Sequence, residues 1–140
     1  MLAKRHGFYA EEPEKMWAID SAVDTICDHL PKVAGVIMGK KFDEDGHKVY
    51  KTSVQALADY IHKTLHAHEG HYLAGPEITM ADFQAAGFIF GAIFNENFPM
   101  QEWAKGGQEI FYSHHNVKAY VERLQEAFHH YLKHRPAAPF

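Results

Sequence analysis

The sequence predicts an all-α fold, a bundle of about five helices around a buried central one. Three observations predict it. Apolar residues recur at three- and four-residue spacing along most of the chain. Helix start and stop signals punctuate that pattern at regular intervals. No run alternates apolar and polar residues as a half-buried strand does, and no repeat or low-complexity segment interrupts the pattern.

The elements follow in order. MLAKRHGF reads as the last turn of a helix that starts before the chain does. Lys4, Arg5 and His6 suit a helix C-terminus, and Gly7 suits the position just past it. Glu11, Glu12, Pro13 and Glu14 then open a long helix, with acids in the first turn and proline near the first helical position. Trp17, Ile19, Ala22, Val23, Ile26, Leu30, Val33 and Ile37 give it an apolar stripe. Pro31 falls inside this stripe and predicts a kink there, or a break into two segments. KKFDEDGH, residues 40–47, reads as a polar connection.

A second long helix is expected from Val49 to His66, with Tyr50, Val54, Leu57, Ile61 and Leu65 on one face. A third begins at Thr79 and is apolar almost all round (MADFQAAGFIFGAIF), as a helix in the middle of a domain must be; Phe98-Pro99 ends it. Gly106-Gly107 predicts that no helix runs through residues 100–115. Asn116 opens a helix carrying Val117, Tyr120, Val121 and Leu124. Phe128, Tyr131 and Leu132 mark a last one, stopped by RPAAPF.

The 140 residues make one domain, residues 1–10 being the end of a preceding helix and a linker. With 46% hydrophobic and 23% charged residues and a net charge of −4, the composition is that of a globular chain. No basic block interleaves with aromatics, so a nucleic-acid surface is not expected. No stretch reaches the ~18 apolar residues of a membrane span, and no signal or transit peptide is visible. Cys27 is the only cysteine, which excludes an intrachain disulfide and favours an intracellular compartment, cytoplasm or organelle.

The chain carries 12 histidines, four of them between His62 and His71. His62 and His66 sit one helical turn apart and are the pair a metal would use, with His68 and His71 as further donors. Against this, H-A-H-E-G-H is not the HExxH arrangement, and no cysteine stands nearby. The cluster also falls at a helix C-terminus, where imidazoles serve free carbonyls for ordinary reasons. The expected reading is no metal and no cofactor. His114-His115 and His129-His130 are adjacent in sequence, point in different directions on a helix, and read as surface.

Ile78-Thr79-Met80-Ala81-Asp82-Phe83 is more specific. Thr79 and Asp82 stand at the two positions of a capping box, and Ile78 and Phe83 at those of a hydrophobic staple. YLAGPEITMADF resembles the F-L-x-G-x-x-[ST]-x-A-D-[FLI] segment of cytosolic glutathione S-transferases, which opens the central helix of their all-helical C-terminal domain. MLAKRHGFY resembles the end of that family's first domain and its linker. IDSAVDTICDHL resembles the V-D-x-x-x-D-x-x-x-D helix of the sigma, mu and pi classes, and NVKAYVERLQEAFHHYLKHRPAAPF the closing helices with their R-P-x-x-P-F ending.

The resemblance implies the helical half of a two-part protein. In that family a thioredoxin-like first domain holds glutathione and supplies the Tyr, Ser or Cys that activates its sulfur. The present sequence shows no βαβ pattern, no match to that residue and no counterpart of the cis-proline; Tyr9 lies in the linker-like region. By resemblance, Asp28 is the carboxylate that reaches across a dimer toward the γ-glutamyl amine of glutathione. Val33 and Met38 fall at positions lining the second-substrate pocket. Taken without the resemblance, the Asp20-Asp24-Asp28 stripe reads as a solvated face, and Val33 and Met38 as core packing. Two functions follow as expectations. One is a non-catalytic scaffold or interaction subunit, in a homodimer or larger complex with protein partners. The other is the C-terminal part of an active transferase conjugating glutathione to hydrophobic electrophiles, with glutathione a substrate only when the first domain is supplied.

Overall fold

The computed structural model describes residues 2–68 and 71–139. Met1 and Phe140, from the expected first and last segments, and Glu69 and Gly70 of the His-rich loop lie outside the described residues. Among those described, seven α-helices and one π segment make the whole regular structure: α1 Leu2–Arg5, α2 Pro13–Met38, α3 Glu44–Ala67, α4 Met80–Phe88, the π segment Ile89–Ile93, α5 Gln101–Tyr112, α6 His115–Ala127 and α7 His129–His134. The fold is all-α, as the periodicity predicts.

The short α1 ends as its sequence requires. Gly7 takes φ +77, and the Phe8 N–H returns to the Ala3 carbonyl at 2.9 Å, closing the helix with a left-handed glycine. α2 starts with Pro13 in its first turn behind Glu12, where proline's missing N–H leaves nothing unsatisfied. Pro31 does not break it: α2 is helical from Pro13 through Met38. A lone proline removes only the bond to the carbonyl four residues back, and here Pro31 lies on the exposed side of α2, where that carbonyl meets water.

The junction of α2 and α3 corrects the sequence reading. α2 closes in a Schellman motif: Lys41 N–H to Val36 O at 2.9 Å and Lys40 N–H to Ile37 O at 3.1 Å. The left-handed residue is Lys40, φ +49, not the glycine before it. α3 then begins at Glu44, not Val49, because Asp43 caps it by accepting from the Gly46 N–H at 2.9 Å. Glu44 and Asp45 complement the dipole in the first turn. Polar residues that read as a loop are thus a capped helix start.

Residues 101–112 form α5, so Gly106-Gly107 does not break a helix. Gly107 is a packing residue: a Cβ there would stand 2.9 Å from the Tyr50 hydroxyl and 3.3 Å from Ile93. Its bare backbone lets α5 lie close on α3, and that contact outweighs the helix penalty of ~1 kcal/mol. α2 packs on α3 and α4, and α3 on α5 and α6. The α4–π rod runs through the centre, with Ala81, Ala85, Phe88, Ile89, Ala92 and Ile93 fully buried.

Candidate functional site

One side of the central rod, exposed at Phe83 and Gly87 and buried at Phe90 and Gly91, forms the floor of a groove. Phe83, Gly87, Phe90 and Gly91 recur at helical spacing along α4 and the π segment. Phe128 and Tyr131 make one wall, and the C-terminal segment with Arg135, Pro136 and Ala138 closes the far end, around a cavity of about 470 Å³. Phe83 is 39% exposed and Tyr131 64%, so large aromatic surface faces water in the groove. Phe83 meets Phe8 edge-on at 4.9 Å and Phe128 at 5.1 Å. Arg135 is the one charged side chain lining the groove among the described residues, and its guanidinium donates to Phe90 O.

Asp82 sets where this rod begins. Thr79 and Asp82 form the expected capping box, with Asp82 Oδ2 accepting from the Thr79 N–H at 2.7 Å and its hydroxyl at 3.1 Å. Its other oxygen accepts from the Leu73 N–H at 3.0 Å and the Tyr120 hydroxyl at 2.9 Å. The carboxyl is fully buried. Burial pushes its pKa up, while the bonds from Leu73, Thr79 and Tyr120 pull the other way. Tyr120, also fully buried, is pushed well above the usual phenol range by burial first and Asp82 second. The chain enters α4 through Phe8 as well: its carbonyl accepts the Met80 N–H at 2.9 Å.

The π segment is held by four side chains from outside it, two on α3 and α5, one in the loop that follows and one just past α7. Arg135 Nη1 donates to Phe90 O at 2.8 Å, Asn95 Nδ2 to Gly91 O at 2.9 Å, the Tyr50 hydroxyl to Ala92 O at 3.0 Å and Gln108 Nε2 to Ile93 O at 2.9 Å. The Ile89 carbonyl takes the Phe94 N–H five residues on, at 2.8 Å. Carbonyls freed at a helix end need such partners when buried. Widening the last turn to π geometry aims four of them outward to different donors.

The residues singled out by sequence are dispersed. Asp20, Asp24 and Asp28 lie on the exposed side of α2; Asp20 accepts from the Tyr9 hydroxyl at 2.8 Å, while Asp28 stays open. His29 beside it has an unpartnered Nδ1, and burial lowers its pKa, Lys32 adding to this and Asp28 opposing. Val33 is buried in the core, whereas Met38 is 82% exposed at the end of the same helix. Ile78 is half-buried. His62 and His66 lie one turn apart on α3, with different surroundings. His62 Nδ1 bonds the Asn116 Oδ1 at 2.7 Å and its ring stacks on His114 at 4.3 Å, while His66 is exposed. Among the described residues no group of three or more His, Cys, Asp or Glu is placed to hold a metal.

The groove went unread in the sequence because MADFQAAGFIFGAIF looks apolar on every side. The signal present was size: Gly87 and Gly91 both fall on the side of the rod that lines the groove.

Among the described residues seven α-helices pack around a capped central rod in one all-helical domain. The family model for the glutathione S-transferase C-terminal domain matches residues 28–135, and the chain belongs to that family. Among solved structures it is similar to NaGST-2, with 22% identity over 99% of this chain and a TM-score of 0.73; it spans 66% of that chain's length. No curated protein matches. No helix among the described residues is long and apolar enough to cross a membrane.

Proposed function

We propose that this domain is a non-catalytic interaction module that seats a protein partner in the α4 groove. The observation that carries the reading is the groove itself, lined by Phe83, Phe90, Phe128 and Tyr131, with Phe83 and Tyr131 open to water. Its chemistry suits a projecting aromatic or aliphatic side chain that fills the apolar cavity. Phe83 is the anchor of the site, because it is partly exposed and touches both Phe8 and Phe128. Phe83→Glu is expected to weaken docking by ~2 kcal/mol or more, roughly 30-fold. Sedimentation of the natural gene product from its own cells checks this. Wild type should run heavier than its own chain and Phe83→Glu at the mass of one chain, with unchanged far-UV dichroism. An intact assembly in Phe83→Glu would rule the groove out.

One observation favours a second reading. Asp28 is an open carboxylate on the outer side of α2, and an ammonium suits it. In this reading the domain completes a glutathione transferase whose thiol-activating half is a thioredoxin-like domain, and Asp28 holds the γ-glutamyl amine across a dimer. Asp28→Asn in the assembled enzyme should then raise KM for glutathione about tenfold with kcat little changed. An unchanged KM, or no conjugation by the wild-type assembly, would remove the reading.

A further inference from the structure

Trp17 is 72% exposed, the most of any Phe, Trp or Tyr among the described residues. It stands near the start of α2, where Pro13, Ala18 and His68 share a shallow apolar hollow with it. Burying a tryptophan takes ~150–250 Å² out of water, and tryptophan is among the commonest anchors of interfaces. Its neighbours are acidic. Glu14 and Asp24, three residues before it and seven after, are exposed on its side of α2, and the exposed Asp20 lies between them.

The α4 groove is its counterpart in shape and charge. Phe83, Phe90, Phe128 and Tyr131 surround about 470 Å³, which leaves room for an indole, since pockets of ~300–1,000 Å³ hold whole ligands. Trp17 is not among the residues that line the groove, so a chain does not fill its own. Among the described residues Arg135 is the one charged group lining it. Only its Nη1 donates within the described chain, to Phe90 O. A guanidinium has further N–H groups to offer a carboxylate.

We infer that the occupant of the groove is Trp17 of a second copy of this chain, with the acids of that copy's α2 turned toward Arg135. The inference rests on the docking reading above and names its partner. Indole and groove are different patches of the molecule, so the contact is head-to-tail, and every copy has one Trp17 to give and one groove to fill. A chain alone leaves both patches in water. Neighbouring copies cover both.

The test uses the full chain, purified alone. In sedimentation, wild type should rise above the mass of one chain as concentration increases. Trp17→Glu and Phe83→Glu should each weaken this association at least about tenfold. Thermal unfolding confirms that the bundle of each variant is intact. Mixing the two variants is the decisive step. Each keeps the patch that the other lacks, so the mixture should form one-to-one pairs where neither variant associates by itself. Trp103 is only 8% exposed, so acrylamide quenching reads Trp17 and should fall as wild type associates. Wild type that stays at the mass of one chain, association that Trp17→Glu leaves intact, or variants that do not pair when mixed would overturn the proposal. The docking reading fails separately. If the purified chain stays single while Phe83→Glu still breaks the native assembly, the groove seats a different protein and only the second copy is ruled out.

Discussion

Asp82→Ala is expected to be the most damaging single change in the domain. It removes the acceptor for two backbone N–H groups, of Leu73 and Thr79, and for the hydroxyls of Tyr120 and Thr79. Each buried donor left unpaired costs ~1–3 kcal/mol. The two hydroxyls recover part of the loss by rotating, and the backbone groups do not. The expected cost is on the order of 4 kcal/mol, a large share of the ~5–15 kcal/mol that holds a domain together. Calorimetry should show Tm falling by more than about 10 °C. A drop of only a few degrees would mean that water replaces the carboxylate.

The same residue sets a pH dependence with an unusual sign. Burial raises the folded-state pKa of Asp82 above the ordinary carboxylate value, so the folded state holds this proton more tightly than the unfolded state. The resulting stability is fully present below the ordinary value and is lost as pH rises through the raised one. Asp82→Asn has no such titration. Urea midpoints of wild type and Asp82→Asn should therefore converge as pH rises through that window. Divergence would show that the hydrogen bonds outweigh burial.

Gly46→Ala is the second large effect, and its sign opposes helix propensity. Alanine in a helix ordinarily gains up to ~1 kcal/mol over glycine. At Gly46 the new Cβ would stand 1.8 Å from Lys41 O, 2.9 Å from Lys41 C and 3.2 Å from Val36 Cγ1. Two of these are backbone atoms of the turn after α2, so relief requires moving α3 against α2. A loss of roughly 3 kcal/mol or more is expected. Gly35→Ala is the control, since nothing lies within 4 Å of a Cβ there; it should stabilise by ~0.5–1 kcal/mol. Equal effects at the two glycines in denaturant titrations would contradict the packing account.

These residues also mark how far the sequence can be read. Apolar spacing was enough for α2 and α6, because each covers a core with a helical stripe, and α4 was legible because it is apolar almost all round. The capping box of Thr79 and Asp82 was legible because both partners lie within four residues. The bonds from Asp82 to Leu73 and Tyr120 were not, since helix packing rather than spacing brings them there. Gly46 and Gly107 misled for the same reason: the contact that makes each glycine necessary comes from another element. The π segment was equally hidden, its donors lying at Tyr50, Gln108 and Arg135. The groove is legible only once it is known which side of the rod its neighbours leave bare.

Hydrogen exchange on the native assembly, compared with the isolated chain, tests the central claim most directly. Docking in the α4 groove predicts new protection at residues 83–94 and at 128–135. Protection confined to the outer side of α2, with residues 83–94 exchanging as they do in the isolated chain, would contradict it.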